Sequence, residues 1–342
     1  MKRKFASALM PVMVLAAGGV ELTAQAQNHW QETMHHPARM HHAMSSAAKL
    51  DVTDDPAAQT MTVRIGPVNL PAHSDHMAVM QPRDLYLTLP FDGWLVAFHP
   101  RLVDAAGNEL PGKLLHHVAY WSASRPDFLC PNKPEHIFGA GSEMNDWPGV
   151  PGFGYRVADQ DRIRVATMFA NPTATSYPKV FLEVRMEYRR AEQLNASGAA
   201  PLHSVYPVWF DVMGCRDSGY DLKPGPNVSR GQFTMKYSGI LLGVGGHLHD
   251  YGRQLVLEEV AKKQPVATLD ATVDPAGHLI SVPIVRFADH GLKLAKGEML
   301  GVTATYDNPT GKYLADSAMG IVVGYFLPED DAQFVAMARP RK

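Results

Sequence analysis

The stretch GVGGHLHDYG, residues 243–252, sets two histidines, His247 and His249, one residue apart among four glycines. On an extended strand, residues i and i+2 project from the same face about 6.5–7 Å apart. Both imidazoles can therefore reach one metal ion from one side, while Leu248 points the other way into a core. The glycines leave room for close backbone approach. His-x-His is shared by zinc hydrolases, cupins and copper sites, and two surface histidines at a turn would read the same way. The cupin pattern wants a glutamate shortly after the second histidine, and Arg253 and Gln254 stand in that region instead. A second pair, His116 and His117, lies in LLHHVAYW at 114–121. Adjacent residues on a regular strand face opposite sides, so this pair can share a metal only where the strand ends or kinks.

The elements around both pairs are strands. From residue 60 the chain writes short alternating runs (MTVRI, DLYLTL, GWLVAFHP, RIRVATMF, KVFLEVRMEY) bounded by Pro, Gly, Asn and Asp. A polar, small-residue stretch, AEQLNASGAAP at 191–201, separates them from a second set that includes QFTMKYSGILLGV, EMLGVTATYD and GIVVGYFLP. The expected fold is all-β, with two tandem antiparallel, jelly-roll-like β-sandwiches at 60–190 and 203–328. Residues 191–202 are read as a linker and 329–342 as a tail. RVATMFANPT (164–173) echoes GVTATYDNPT (301–310), which suggests one sandwich plan used twice.

The N-terminus carries Lys2, Arg3 and Lys4, then an apolar run, then the small-x-small signal Ala24-Gln25-Ala26. This reads as a secretory signal peptide cleaved after Ala26, so the mature chain is expected outside the cytoplasm, in a bacterial periplasm. No other segment is long and apolar enough to cross a bilayer as a helix, and stable membrane insertion is not expected. A net charge of −2 offers no basic face for nucleic acid. Residues 27–59 are expected to be a flexible leader, rich at its start in soft donors: Met34, His35, His36, Met40, His41, His42 and Met44. The chain has 16 histidines and 17 methionines but 2 cysteines, a donor balance that suits copper where thiols oxidise. If Cys130 and Cys215 pair, the long loop they close is worth about 4–5 kcal/mol in the chain-entropy view.

Residues 60–328 resemble the copper type II, ascorbate-dependent monooxygenases, the family of peptidylglycine alpha-hydroxylating and dopamine beta-monooxygenases. His116-His117, His247-x-His249 and Met319, in DSAMGIVVGYFLP just before a final apolar strand, match that family's motifs in order, spacing and β context. The resemblance implies two mononuclear coppers facing each other across a wet cleft. One, on His116 and His117, stores an electron; the other, on His247, His249 and Met319, binds dioxygen beside the substrate. It further implies hydroxylation of a C–H bond of a small-molecule substrate, with ascorbate or another reductant supplying electrons. A copper carrier built on the same scaffold is the alternative.

The chain departs from the family in two places. Where the first copper has a third histidine, this sequence offers Met168, with His136 as another candidate. Where peptidylglycine enzymes hold a carboxylate, it has Gly245, Ile321 and Val323, so a smaller or more apolar substrate is expected. His73, His76 and His99 read as surface or satisfied histidines. Asp250, next to His249, could orient a ligand imidazole or simply occupy a turn.

Overall fold

Two apolar cores organise the chain. The first is built from residues between Met61 and Tyr188, the second from residues between Tyr206 and Phe334 together with Phe128, Leu129 and Cys130. The computed structural model describes residues 46–144, 146–288, 291–332 and 334. The expected signal peptide, the His/Met-rich run to residue 45 and most of the expected tail lie outside these.

Period-2 alternation makes the first sandwich. Met61, Val63 and Ile65 on one strand, and Val180, Leu182, Val184, Met186 and Tyr188 on its neighbour, turn inward and are almost fully buried. They belong to a large sheet that runs through strands Lys49–Asp55, Thr60–Leu70, Tyr177–Arg190, Gly93–Val103, Phe153–Val157 and His203–Ser204. The opposing sheet has four strands, in the order Leu85–Thr88, Arg162–Phe169, Leu115–Pro126 and Pro134–Gly141. The second sandwich repeats the plan. Strands Tyr206–Asp211, Gly320–Pro328, Gly239–Leu248 and Val285–Arg286 form one sheet; Gly225–Thr234, Met299–Asn308, Gly252–Glu259 and Gln264–Asp270 form the other. The fold is all-β, as the strand-and-turn texture indicates.

Two boundaries differ from the sequence reading. Residues 49–55 fall within the expected leader but pair as an edge strand along Thr60–Leu70. Leu50 packs on the first core, while Asp51, Asp54 and Asp55 give the open edge a charge that discourages further pairing. The expected linker contains a short helix, Ala191–Ser197, that ends at Gly198 in the left-handed conformation (φ 69°). Helix formers such as Ala, Glu, Gln and Leu outweigh the small-residue texture there.

The internal echo is a duplicated turn. Buried Asn171 donates through Nδ2 to the carbonyls of Leu70, Pro71 and Thr175, and its Oδ1 accepts from the amide and hydroxyl of Thr173. Asn308 donates to Lys223 and Lys312, and accepts from the amide and hydroxyl of Thr310. In each half an Asn-Pro-Thr turn saturates the backbone where a long strand of the sandwich ends, which satisfies polar groups that would otherwise be buried unpaired.

Cys130 and Cys215 are joined, with Cα atoms 5.4 Å apart and the two residues 85 positions apart in sequence. The loop from Asp127 to Lys133 leaves the first sandwich and places Phe128, Leu129 and Cys130 in the second core. Asp127 Oδ1 shapes it by accepting from the amides of Leu129 and Cys130. Replacing both cysteines with serine is expected to lower unfolding free energy by about 4 kcal/mol. Denaturant melts should show that loss, and reductant should then have no further effect.

Candidate metal centre

The site lies where the four-stranded sheet of the first sandwich meets the Gly239–Leu248 sheet of the second. Glycines allow the approach. A Cβ on Gly139 would sit 2.8 Å from the Trp209 ring, and one on Gly141 would sit 2.6 Å from both the His247 ring and a Glu143 carboxylate oxygen. Tyr325 adds a hydroxyl donated across the seam to the Ile137 carbonyl at 3.2 Å.

On the first side, the strand Leu115–Pro126 carries the adjacent histidines. Leu115 pairs with Phe169 but His117 pairs with Met168, a register shift that leaves His116 as the extra residue of a β-bulge. That is the kink two neighbouring histidines need in order to face one site. On the second side, Leu248 is fully buried and His247 and His249 turn the opposite way, as expected for alternate residues. The hydroxyl of buried Tyr306 accepts from the His249 amide at 2.9 Å and from the Met319 amide at 3.3 Å, and donates to the Met319 carbonyl. Met319 is thereby held beside His249 through the main chain.

Residues of the two pairs come together. Ligand nitrogens of His116, His117 and His249 all lie within 4.8 Å of one another. The His116 ring is 4.4 Å from that of His249 and 5.0 Å from that of His117, and His247 lies 5.2 Å from His249. Neither ring nitrogen of His249 has a hydrogen-bond partner although both are buried, and Nε2 of His247 is in the same state. Burial holds the His116 and His249 imidazoles well below their ordinary pKa, and the neighbouring histidines push in the same direction. The Ser317 main chain pulls His249 weakly the other way, from outside hydrogen-bonding geometry. Three convergent imidazoles, with His116 and His249 held neutral by burial and both buried ring nitrogens of His249 unpartnered, fit a borderline transition-metal ion such as copper or zinc.

Glu143 completes the arrangement and was not legible in the sequence. Its Oε1 accepts from the Gly141 amide at 2.9 Å and lies 2.9 Å from His247 Nδ1. A carboxylate on one imidazole nitrogen fixes the tautomer and turns the other nitrogen toward a metal. Asp250 does not take this role: it lies 2.7 Å from His278 Nδ1 and accepts from the Leu279 amide. His76, read as a surface residue, stacks on His116 with ring centroids 4.5 Å apart and planes 5° from parallel. Among the other candidates, Met168 lies directly across the ladder from His117, on the same face. His136 pairs with Trp121, four residues along the strand from His117, and stacks on Trp209 at 4.2 Å. It is packed in the aromatic seam, apart from the cluster. His99 sits between Asp146 and Glu187, and His73 is exposed.

Gly245 is covered by Trp147, whose ring is 2.8 Å from where a Cβ would stand. Ile321 and Val323 are buried. Trp147 also lines a small apolar cavity of about 60 Å³ together with Phe98, Tyr155, Tyr325 and Ile284. Among the described residues no helix is long and apolar enough to cross a membrane.

No family model matches the chain, and no curated protein matches it. Solved structures with some likeness include the Sulfolobus Turreted Icosahedral Virus structure (11% identity, TM-score 0.34, covering 86% of this chain and 96% of that one). The PBCV-1 virus capsid (8%, 0.29, 84% and 95%) and the mavirus major capsid protein (8%, 0.21, 94% and 94%) also match. Identities this low bear on the fold alone, and TM-scores this low carry no argument about the site.

Two outcomes follow from the site geometry. Glu143→Gln should weaken metal binding by about 10–100-fold without unfolding the chain, measured by chelator competition. In metal-free protein, stability should fall as pH drops below 6.5, the ordinary histidine pKa. The unfolded chain then binds protons that the buried, neutral His116 and His249 refuse. Thermal melts should show a shallower fall for His249→Asn.

Proposed function

We propose that this is an exported copper protein that hydroxylates a C–H bond of a small apolar substrate, using dioxygen and a reductant such as ascorbate. The observation that carries the reading is the convergence of His116, His117 and His249, one residue set from each sandwich, on a single point. His247 and Met319 flank it, and the motif order matches the ascorbate-dependent monooxygenases. The disulfide supports an oxidising compartment.

In this reading His116, His117 and His249 hold the metal, and bound copper supplies one-electron chemistry toward dioxygen. Glu143 holds the Nδ1 side of His247 and so presents Nε2 toward the cluster. Tyr306 fixes the His249 backbone, so the imidazole does not drift when the site changes charge. Trp147, Ile321 and Val323 remove water and carboxylate-binding groups from the approach, which favours an apolar substrate.

One observation favours the alternative, a copper carrier. The described residues present one histidine cluster, not two centres separated by a cleft, and a single cluster stores no second electron. The readings part on metal count and turnover. A monooxygenase should consume oxygen with ascorbate in a substrate-dependent way, and His249→Ala should abolish it. A carrier should bind one copper per chain with no coupled oxygen uptake. Protein that takes up no copper, alongside His116→Ala and His249→Ala controls, overturns both.

A further inference from the structure

The sequence SDHMAVMQ, residues 74–81, was absorbed by neither the fold nor the proposed centre, yet it lies against the histidine cluster. Residues 75–79 form a single tight turn. The amides of Ala78 and Val79 donate to the Asp75 carbonyl, and Asp75 Oδ1 accepts from the amides of Met77 and Ala78. Val79 is buried and anchors the turn to the first core. Gln81 clamps it from the other side. Its Nε2 donates to the carbonyls of His76 and Phe169 at 2.7 and 2.8 Å, and its Oε1 accepts from the Phe169 amide at 2.8 Å. Phe169 directly follows Met168, which faces His117. The turn is therefore fixed to the strand that borders the centre.

Two features of this turn do not serve packing. Met77 and Met80 are 61% and 46% exposed, an unusual state for long apolar side chains that sit three residues apart. His76, next to Met77, stacks on His116 at 4.5 Å. Thioethers at the surface and an imidazole leading inward form a graded donor set. Soft sulfur takes Cu(I), and nitrogen shared with the inner cluster receives it. The Ser46 amide also donates to the Gln81 carbonyl at 3.1 Å.

We propose that the turn bearing His76, Met77 and Met80 is a Cu(I) loading site that passes the ion to His116 and thence to the inner cluster. This rests on the copper reading of that cluster. The transfer is a ligand exchange. Copper–sulfur bonds to Met77 and Met80 break as copper–nitrogen bonds form to His76 and then His116. Thioether and imidazole are neutral donors, so no proton leaves and copper stays in the +1 state.

The test follows the rate at which the full mature chain takes Cu(I) from its bicinchoninate complex. Met77→Leu with Met80→Leu keeps bulk and removes sulfur; His76→Phe keeps a ring for stacking and removes nitrogen. Each variant should reach the same final copper content as the unaltered chain, about tenfold more slowly or worse. Either variant loading at the unaltered rate overturns the relay. An unaltered chain that takes up no copper overturns the reading of the inner centre instead, and the turn is then judged by itself. In a chain with His116, His117 and His249 all changed to alanine, added Cu(I) should show sulfur scattering in its X-ray absorption. That scattering should vanish when Met77 and Met80 are also replaced; its absence from the start overturns the loading site.

Discussion

The centre depends on how closely two β-sheets can approach at Gly141. A regular pair of stacked sheets stands about 10 Å apart, with side chains from both filling the gap. Here the position opposite His117 has no side chain, and the space a Cβ would take is already shared by the His247 ring and the Glu143 carboxylate. Gly139, two residues earlier on the same face, does the same for Trp209. The first sandwich thus presents a flat, glycine-lined strand into which the second presses its imidazoles. The bulge at His116, the Tyr306 hydroxyl under His249 and the buried carboxylate all act on a geometry that this contact makes possible.

What could be read in the sequence is what depends on near neighbours in the chain. Alternation put Leu248 in the core and its flanking histidines on the other face, and the structure has them so. The repeated Asn-Pro-Thr was visible because each asparagine bonds residues two to four positions on, while its bonds to Leu70 and Pro71, or to Lys223, span 85 to 101 positions and left no local trace. The histidine pair at 116–117 was legible as needing a kink, but the kink arises from a register shift against Phe169 and Met168, about fifty residues away. Glu143 meets His247 across 104 residues, and no spacing in the sequence announces such a contact. His76 was missed for the same reason, although its methionine neighbours repeat the donor types of the N-terminal run. The edge strand at 49–55 was hidden by composition: its acidic residues look like leader and serve as edge protection.

The meeting of both histidine pairs also changes how the site's electrostatics must be understood. Two separated centres would each be solvated by a cleft. Here burial keeps His116 and His249 below their ordinary pKa, and the neighbouring histidines push in the same direction, because an added proton on one repels a proton on the next in a poorly solvated space.

The loop carrying Cys130 has a mechanical consequence. Phe128 and Leu129 are seated in the second core, Lys236 donates to the Leu129 carbonyl at 2.8 Å, and the covalent bond to Cys215 closes the arrangement. A hinge that swung the two sandwiches apart would have to pull an aromatic side chain out of one core and stretch a covalent tether. The histidines therefore live in a clamp with a fixed jaw. Swinging the sandwiches apart to reach them is opposed by that anchorage.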